Sequence, residues 1–299
     1  MFQFNLARIR RLSTAALTAG AAMGAVMLAT PATAEIHFLS QDRDIARMVS
    51  LGGSCNRCEL SGRDLTGATF TGATFLNATL VGTNLRGAEL VGSNFSGSDF
   101  SNADLRGVSI LGANFTGANF SGANLAGAAA TGATLVRARL YEADLSGAEL
   151  GGANMNGAVL GRADLSGSEL FGATLANVDA RSADFSSAEI NASNLSNGDF
   201  RSASFRNSSL DGARLRDGQF ARADFTGASL NRADIRGVDL SAARGLTQEQ
   251  VGRACSDSAT RLPNGLSARI CRGISLIRPP SPPSPPSPPR RNLVMISSD

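Results

Sequence analysis

The chain has 299 residues, of which 33 are Gly, with one Tyr and no Trp, a poor fit to a globular core of interlocking large side chains. All 28 basic residues are Arg, and the formal charge is only +3. From Leu60 to Leu240, 14 Arg face 18 Asp plus Glu, a net of −4, whereas Ser241 to Asp299 holds 8 Arg against 3 acids, a net of +5. No dense basic patch of the kind a nucleic-acid partner requires stands out, so no nucleic acid is expected.

Residues 1–34 read as an export signal. Arg8, Arg10 and Arg11 form a positive n-region, an Ala- and Gly-rich apolar stretch follows from Leu12 to Thr30, and Ala32-Thr33-Ala34 offers small-x-small cleavage between Ala34 and Glu35. The alternative, an uncleaved anchor, is disfavoured because the stretch is weakly hydrophobic and ends at Pro31. The mature chain is thus expected outside the cytoplasm, periplasmic or secreted, without a transmembrane helix. Arg10-Arg11 leaves a twin-arginine route open beside the general one. Residues 35–57 form a leader in which Ile45, Met48 and Val49 fall at helical spacing before Gly52-Gly53, predicting a short capping helix.

Residues 58–242 obey a five-residue period. Stepping by five from Leu60 to Leu240 gives 37 positions: 20 Leu, 11 Phe, 3 Ile, Met155, Ala130 and Ala180. Two residues before the bulky position, 24 of 36 residues are Ala; two residues after it, 21 of 36 are Gly. Positions i and i−2 share one face of an extended strand, so a large and a small side chain point inward together. Gly past the bulky residue permits the positive φ of a tight corner. A short extended piece plus a corner, repeated without slip, must wind into coils whose backbone groups pair in parallel ladders.

The stretch SGANLAGAAATGATLVRARLYEADLSGAEL (residues 121–150) resembles the pentapeptide-repeat family. The resemblance implies an all-β, right-handed quadrilateral β-helix with four pentapeptides per coil. That gives about nine coils and a rod roughly 45 Å long at ~4.8 Å per strand layer. Residues twenty apart then stack, as in Phe75, Phe95, Phe115, Leu135 and Met155, or Phe185, Phe205 and Phe225. Both Ala exceptions lie beside Phe, as a constant cross-section requires.

The rod decides how four cysteines pair. Cys55 and Cys58 sit at one end, Cys255 and Cys271 at the other, and ~40 Å cannot be bridged by a disulfide whose Cα limit is ~7 Å. Cys55–Cys58 and Cys255–Cys271 are therefore predicted, with a redox or half-zinc role for the CxxC as the alternative. Residues 243–272 form a C-terminal cap: Thr247 and Gln250 suit a capping box, with Leu246 and Val251 as a hydrophobic staple. Residues 273–299, with RPPSPPSPPSPPRR bordered by Arg278, Arg290 and Arg291, read as a disordered polyproline-II tail.

No catalytic constellation emerges, since the only histidine, His37, lies in the leader, and neither a cofactor nor a metal site is predicted. Asp144, Asp164 and Asp184 fall twenty apart, and Arg139, Arg162 and Arg181 beside them suggest a solvated salt-bridge surface. The outward apolar set Leu76, Val81, Val91, Leu111, Val136, Tyr141 and Phe171 marks a candidate interaction surface. These observations favour a non-enzymatic scaffold of the bacterial cell envelope that binds a protein partner, with self-association open. The resemblance adds an alternative, a DNA-mimic inhibitor of DNA gyrase. Thr66, Thr71, Thr116 and Thr131 form no regular column, which argues against an ice-binding array.

Overall fold

The computed structural model describes residues 53–271. From Ser54 to Arg244 a parallel bridge recurs at every fifth residue and always joins position n to n+20, so four pentapeptides close one coil of a β-helix. One pentad shows why the pattern is stable. Asn84 N–H donates to the Arg63 carbonyl (2.9 Å), Leu85 N–H to Asp104 (2.7 Å), Gly87 N–H to Arg106 (3.0 Å) and Ala88 N–H to Leu85 (3.0 Å). The fifth amide, Arg86 N–H, donates to Asn84 Oδ1 at 3.3 Å. Every backbone donor of the pentad is thereby paired, which a single coil could not achieve.

That fifth bond explains why Asn and Asp crowd the position before the bulky residue: their side chains complete the turn locally. The corner residue at the third place of the turn takes a φ near +60°, as at Gly87 (φ 61). Asn replaces Gly at several corners, among them Asn77 (φ 53) and Asn102 (φ 56), being the side chain that tolerates this region best.

The interior is one continuous cluster of Leu, Phe, Ile and Ala. The expected columns exist: Phe75 stacks on Phe95 and Phe95 on Phe115, with ring centroids 4.6 and 5.3 Å apart. Phe185, Phe205 and Phe225 stack at 5.1 Å per step. Neighbouring columns meet edge to face, as Phe115 and Phe120 do at 5.2 Å. Where Ala gives way to Ser or Thr, the hydroxyl bonds inward, Thr83 Oγ1 to the Leu60 carbonyl (2.9 Å) and Ser168 Oγ to Leu165 (2.7 Å). Among the described residues, no buried side-chain polar atom lacks a partner.

Cys55 and Cys58 belong to this register rather than to a segment ahead of it. Cys55 occupies the bulky position and Cys58 the small one, both are buried, and their disulfide spans a Cα separation of 5.5 Å. The ladder already runs at Ser54, ahead of the expected start at residue 58. The boundary was displaced because a cystine fills the inward space that the sequence pattern assigns to Leu or Phe.

At the other end, helix α1 (Gln248–Arg253) begins at Thr247 with the expected capping box. Val251 is buried, and Leu246 packs against the core. Gln250 Nε2 also donates to the Phe225 and Ala228 carbonyls (2.9 and 2.7 Å), which satisfies acceptors of the last full coil. Strand β1 (Cys255–Ser256) then extends one ladder by pairing with Asp234, and β2 (Arg269–Ile270) stacks on β1 in parallel. The predicted Cys255–Cys271 disulfide ties this last layer down. The expected signal sequence with its Ala34–Glu35 site, the expected leader helix and the Pro-rich tail lie outside the described residues.

Constant cross-section has a sharp local consequence. At Gly198 and Gly218, both at the small inward position, an added Cβ would come within 2.4 and 2.7 Å of the Phe200 and Phe220 rings. Gly198→Ala is therefore expected to destabilise the protein by about 1–3 kcal/mol through overpacking, although Ala is the commonest residue at that position. Gly198→Ala with Phe200→Leu should recover most of the loss. Denaturant unfolding of the two variants checks this, and equal stability of Gly198→Ala and the wild type would refute it.

Candidate interaction surface

The seven outward apolar residues share one place in the pentad, the first corner residue, but the twenty-residue coil distributes them over three edges of the rod. Leu76 and Val136 lie on one edge, Val81 and Tyr141 on a second, and Val91, Leu111 and Phe171 on a third. Leu76, Val81, Val91 and Val136 are half-buried. Leu111 and Tyr141 are each 40 % exposed and Phe171 is 65 % exposed. The set thus does not form one patch, and the half-buried members serve mainly to cover their corners.

Tyr141 is anchored rather than free. Its ring lies against Gly161 of the next coil, where an added Cβ would meet Cδ2 at 3.2 Å. Its hydroxyl accepts from Arg162 Nη1 at 3.3 Å, and Arg162 also pairs with Glu142 at 2.8 Å. Phe171 has no such cover. It is the most exposed of the seven, and Leu111 on the same edge stands three coils away, about 14 Å.

Carboxylates form two stacked rows. Asp144, Asp164 and Asp184 bridge in succession on one face, as expected, and Glu149, Glu169 and Glu189 do the same on the next. The Glu row was missed in the sequence although it has the same spacing, and it adjoins the Phe171 edge. The expected pairing with Arg139, Arg162 and Arg181 is not what holds the Asp row. Instead Asp144 Oδ1 accepts from Ser146 N–H (3.0 Å) and its hydroxyl (2.6 Å), and Asp164 and Asp184 accept from the Ser166 and Ser186 amides. The corner amide outcompetes a distant guanidinium because it is already in place.

Arginine pairs by a different local pattern. Where Asp precedes and Arg follows the bulky residue, the guanidinium folds back as a fork, with Nε and Nη2 on the two carboxylate oxygens. Arg181 does so on Asp179 (2.8 and 2.7 Å), and Arg201 on Asp199 (2.8 and 2.6 Å). The hydrogen bonds from Arg181 and Arg201 hold Asp179 and Asp199 below the usual carboxylate range, against the opposing effect of partial burial. Among the described residues, no group of three His, Cys, Asp or Glu could hold a metal ion, and no helix is long and apolar enough to cross a membrane.

The family model for pentapeptide repeats matches eight copies between residues 54 and 241. The chain belongs to the pentapeptide repeat family. Its β-helix is accordingly right-handed. HetL, a pentapeptide repeat protein involved in heterocyst differentiation regulation from the cyanobacterium Nostoc sp. strain PCC 7120, is 31 % identical, over 76 % of this chain and 90 % of HetL, with a TM-score of 0.32. A trypsin-treated variant of QnrB1, a plasmid-mediated fluoroquinolone resistance protein, is 18 % identical over 70 % of this chain and 91 % of its own, with a TM-score of 0.39. A pentapeptide repeat protein from the Arabidopsis thaliana thylakoid lumen is 27 % identical over 37 % of this chain and 67 % of its own, at a TM-score of 0.15. Comparison with characterised protein sequences gives no match.

The Asp–Arg forks set an acid dependence. A carboxylate whose folded pKa is depressed contributes stability that is complete above its unfolded value, about 3.9, and is lost as pH falls through the lower folded value. The melting temperature should therefore drop between about pH 5 and about pH 2. A variant with Asp179→Asn and Asp199→Asn should melt lower than wild type at neutral pH yet lose less over that interval. Parallel melting curves for both proteins would exclude this contribution.

Proposed function

We propose that this protein is a non-enzymatic interaction scaffold, exported to the cell envelope, that binds a protein partner through the faces of its rod. Phe171 carries this reading. A phenylalanine 65 % exposed on an edge contributes little to the core, but fits the anchor of an interface. The neighbouring Glu149, Glu169 and Glu189 row would form a charged rim, which suits a partner with an apolar pocket bordered by basic groups. The leader sequence with its Ala34–Glu35 junction supports export.

A second reading, a DNA-mimic inhibitor of DNA gyrase, draws on the two parallel carboxylate rows, which present regularly spaced negative charge. The export signal weighs against it, because that target is cytoplasmic. Burial of both cysteines in the first coil weighs against the thiol-redox and metal-binding alternatives for the CxxC.

Replacing Phe171 with a photo-crosslinking aromatic residue in the full chain, expressed in its own host, tests the scaffold reading. A discrete adduct with an envelope protein is expected from position 171 and not from Ser121, on another edge. Phe171→Ser should leave stability within about 0.5 kcal/mol of wild type while weakening that partner at least tenfold, about 1.4 kcal/mol. Identical adduct patterns from both positions would overturn the assignment of this surface. A cytoplasmic chain with an intact Met1, cross-linked to a topoisomerase, would favour the second reading.

A further inference from the structure

At the C-terminal end of the rod one face changes character. Its outward ladder runs Asn194, Arg214, Asp234 and Cys255, and β1 hands it on to β2, where Cys255 pairs with Arg269. A groove along this face is lined by Arg214, Arg216, Arg232, Arg236, Arg253 and Arg269, against only two acids, Asp211 and Asp234. Concave walls of one sign concentrate potential in this way.

Arg214, Arg216, Arg232 and Arg269 do not fork onto a nearby Asp, unlike the groove's own Arg236 and Arg106, Arg181 and Arg201 elsewhere on the rod. At Arg214-Leu215-Arg216 Arg stands on both sides of the bulky residue, so neither has an Asp across it to fold onto. Arg216 reaches only Asp234, at 4.0 Å, and Asp234 is already held by Arg236 through Nε (2.7 Å) and Nη2 (2.6 Å). Asp211 is engaged by Ser229 and Asn231. Arg253 is shared between Glu249 (2.7 Å) and Asn231. Among the described residues, the side chains of Arg214, Arg232 and Arg269 have no hydrogen-bond or ion-pair partner. The chain contains no Lys, so the choice of Arg carries no information; the placement does.

We propose that this groove binds a phosphate ester bearing at least two charged groups, with Arg214 and Arg269 engaging opposite ends. Their backbone positions are three ladder steps apart, about 14 Å, a span that suits a diphosphorylated or oligophosphate ligand lying along the groove. Arg216 and Arg232 line the span between them, and a planar guanidinium presents paired donors to phosphate oxygens. The Cys255–Cys271 disulfide closes the loop that carries Arg269, so it holds one end of the site in place. This site is independent of the Phe171 edge.

Isothermal titration of the full chain with inorganic tripolyphosphate at about 0.05 M salt tests the proposal. Saturable binding is expected, with at least tenfold loss in a variant carrying Arg214→Gln and Arg269→Gln, and no loss in a control carrying Arg106→Gln and Arg181→Gln. Sedimentation with vesicles of roughly one-third phosphatidylglycerol in phosphatidylcholine separates the ligand sources. Vesicle binding that falls in the groove variant and is displaced by tripolyphosphate identifies a lipid headgroup. Vesicle binding unaffected by the groove variant, beside lost tripolyphosphate binding, identifies a soluble phosphate ester. Absence of saturable tripolyphosphate binding to the wild type, or equal losses in groove and control variants, would overturn the proposal.

Discussion

The whole molecule depends on one constraint: each coil must have the same outline as the coil beneath it, because its outward amides and carbonyls pair twenty residues away. A coil whose outline departed far from that of its neighbours would weaken the ladders joining them. Interior residues vary only among apolar types that keep this outline. Phe rings stack in runs along three columns, and Gly replaces Ala beside Phe200 and Phe220. The same constraint makes the surface regular, since any residue recurring at twenty becomes a continuous row.

Much of this was legible in the sequence because the period is a direct record of the constraint. The inward residues, the coiled parallel ladders and the capping box at Thr247 follow from spacing, while the four-sided coil, and with it the phenylalanine columns and both disulfides, follows from the resemblance to the pentapeptide-repeat family. The register of Cys55 and Cys58 was less visible, because neither residue looks like the Leu or Ala it replaces, although Cys55 stands five residues before Leu60. The surface was the least legible part. Whether Asp144 pairs with an arginine or with the serine two residues on depends on corner geometry, and composition does not reveal that competition. Likewise, sequence order placed Leu76, Tyr141 and Phe171 in one list, while the four-sided coil sets them on three edges.

The surface divides along the rod. The middle coils carry the two acidic rows and the exposed Phe171, and the last coils carry an arginine groove closed by a disulfide-tied layer. Such segregation costs little in a solenoid, because an outward side chain contributes almost nothing to the core and can change coil by coil. A rigid rod with unlike patches at fixed separations suits an adaptor, which must hold its partners at set distances.

The measurement that bears most directly on this account is thiol cross-linking across one coil. Ser146 and Ser166 occupy the same corner in successive coils, whereas Ser146 and Asn156 lie half a coil apart, on opposite edges. With cysteines introduced in each pair, a bifunctional reagent spanning about 5 Å should join 146 to 166 and leave 146 and 156 unjoined, because the layer spacing is about 4.8 Å. Joining of 146 to 156, or failure of 146 and 166 to join in a folded protein, would contradict the twenty-residue coil on which the fold and both proposed surfaces rest.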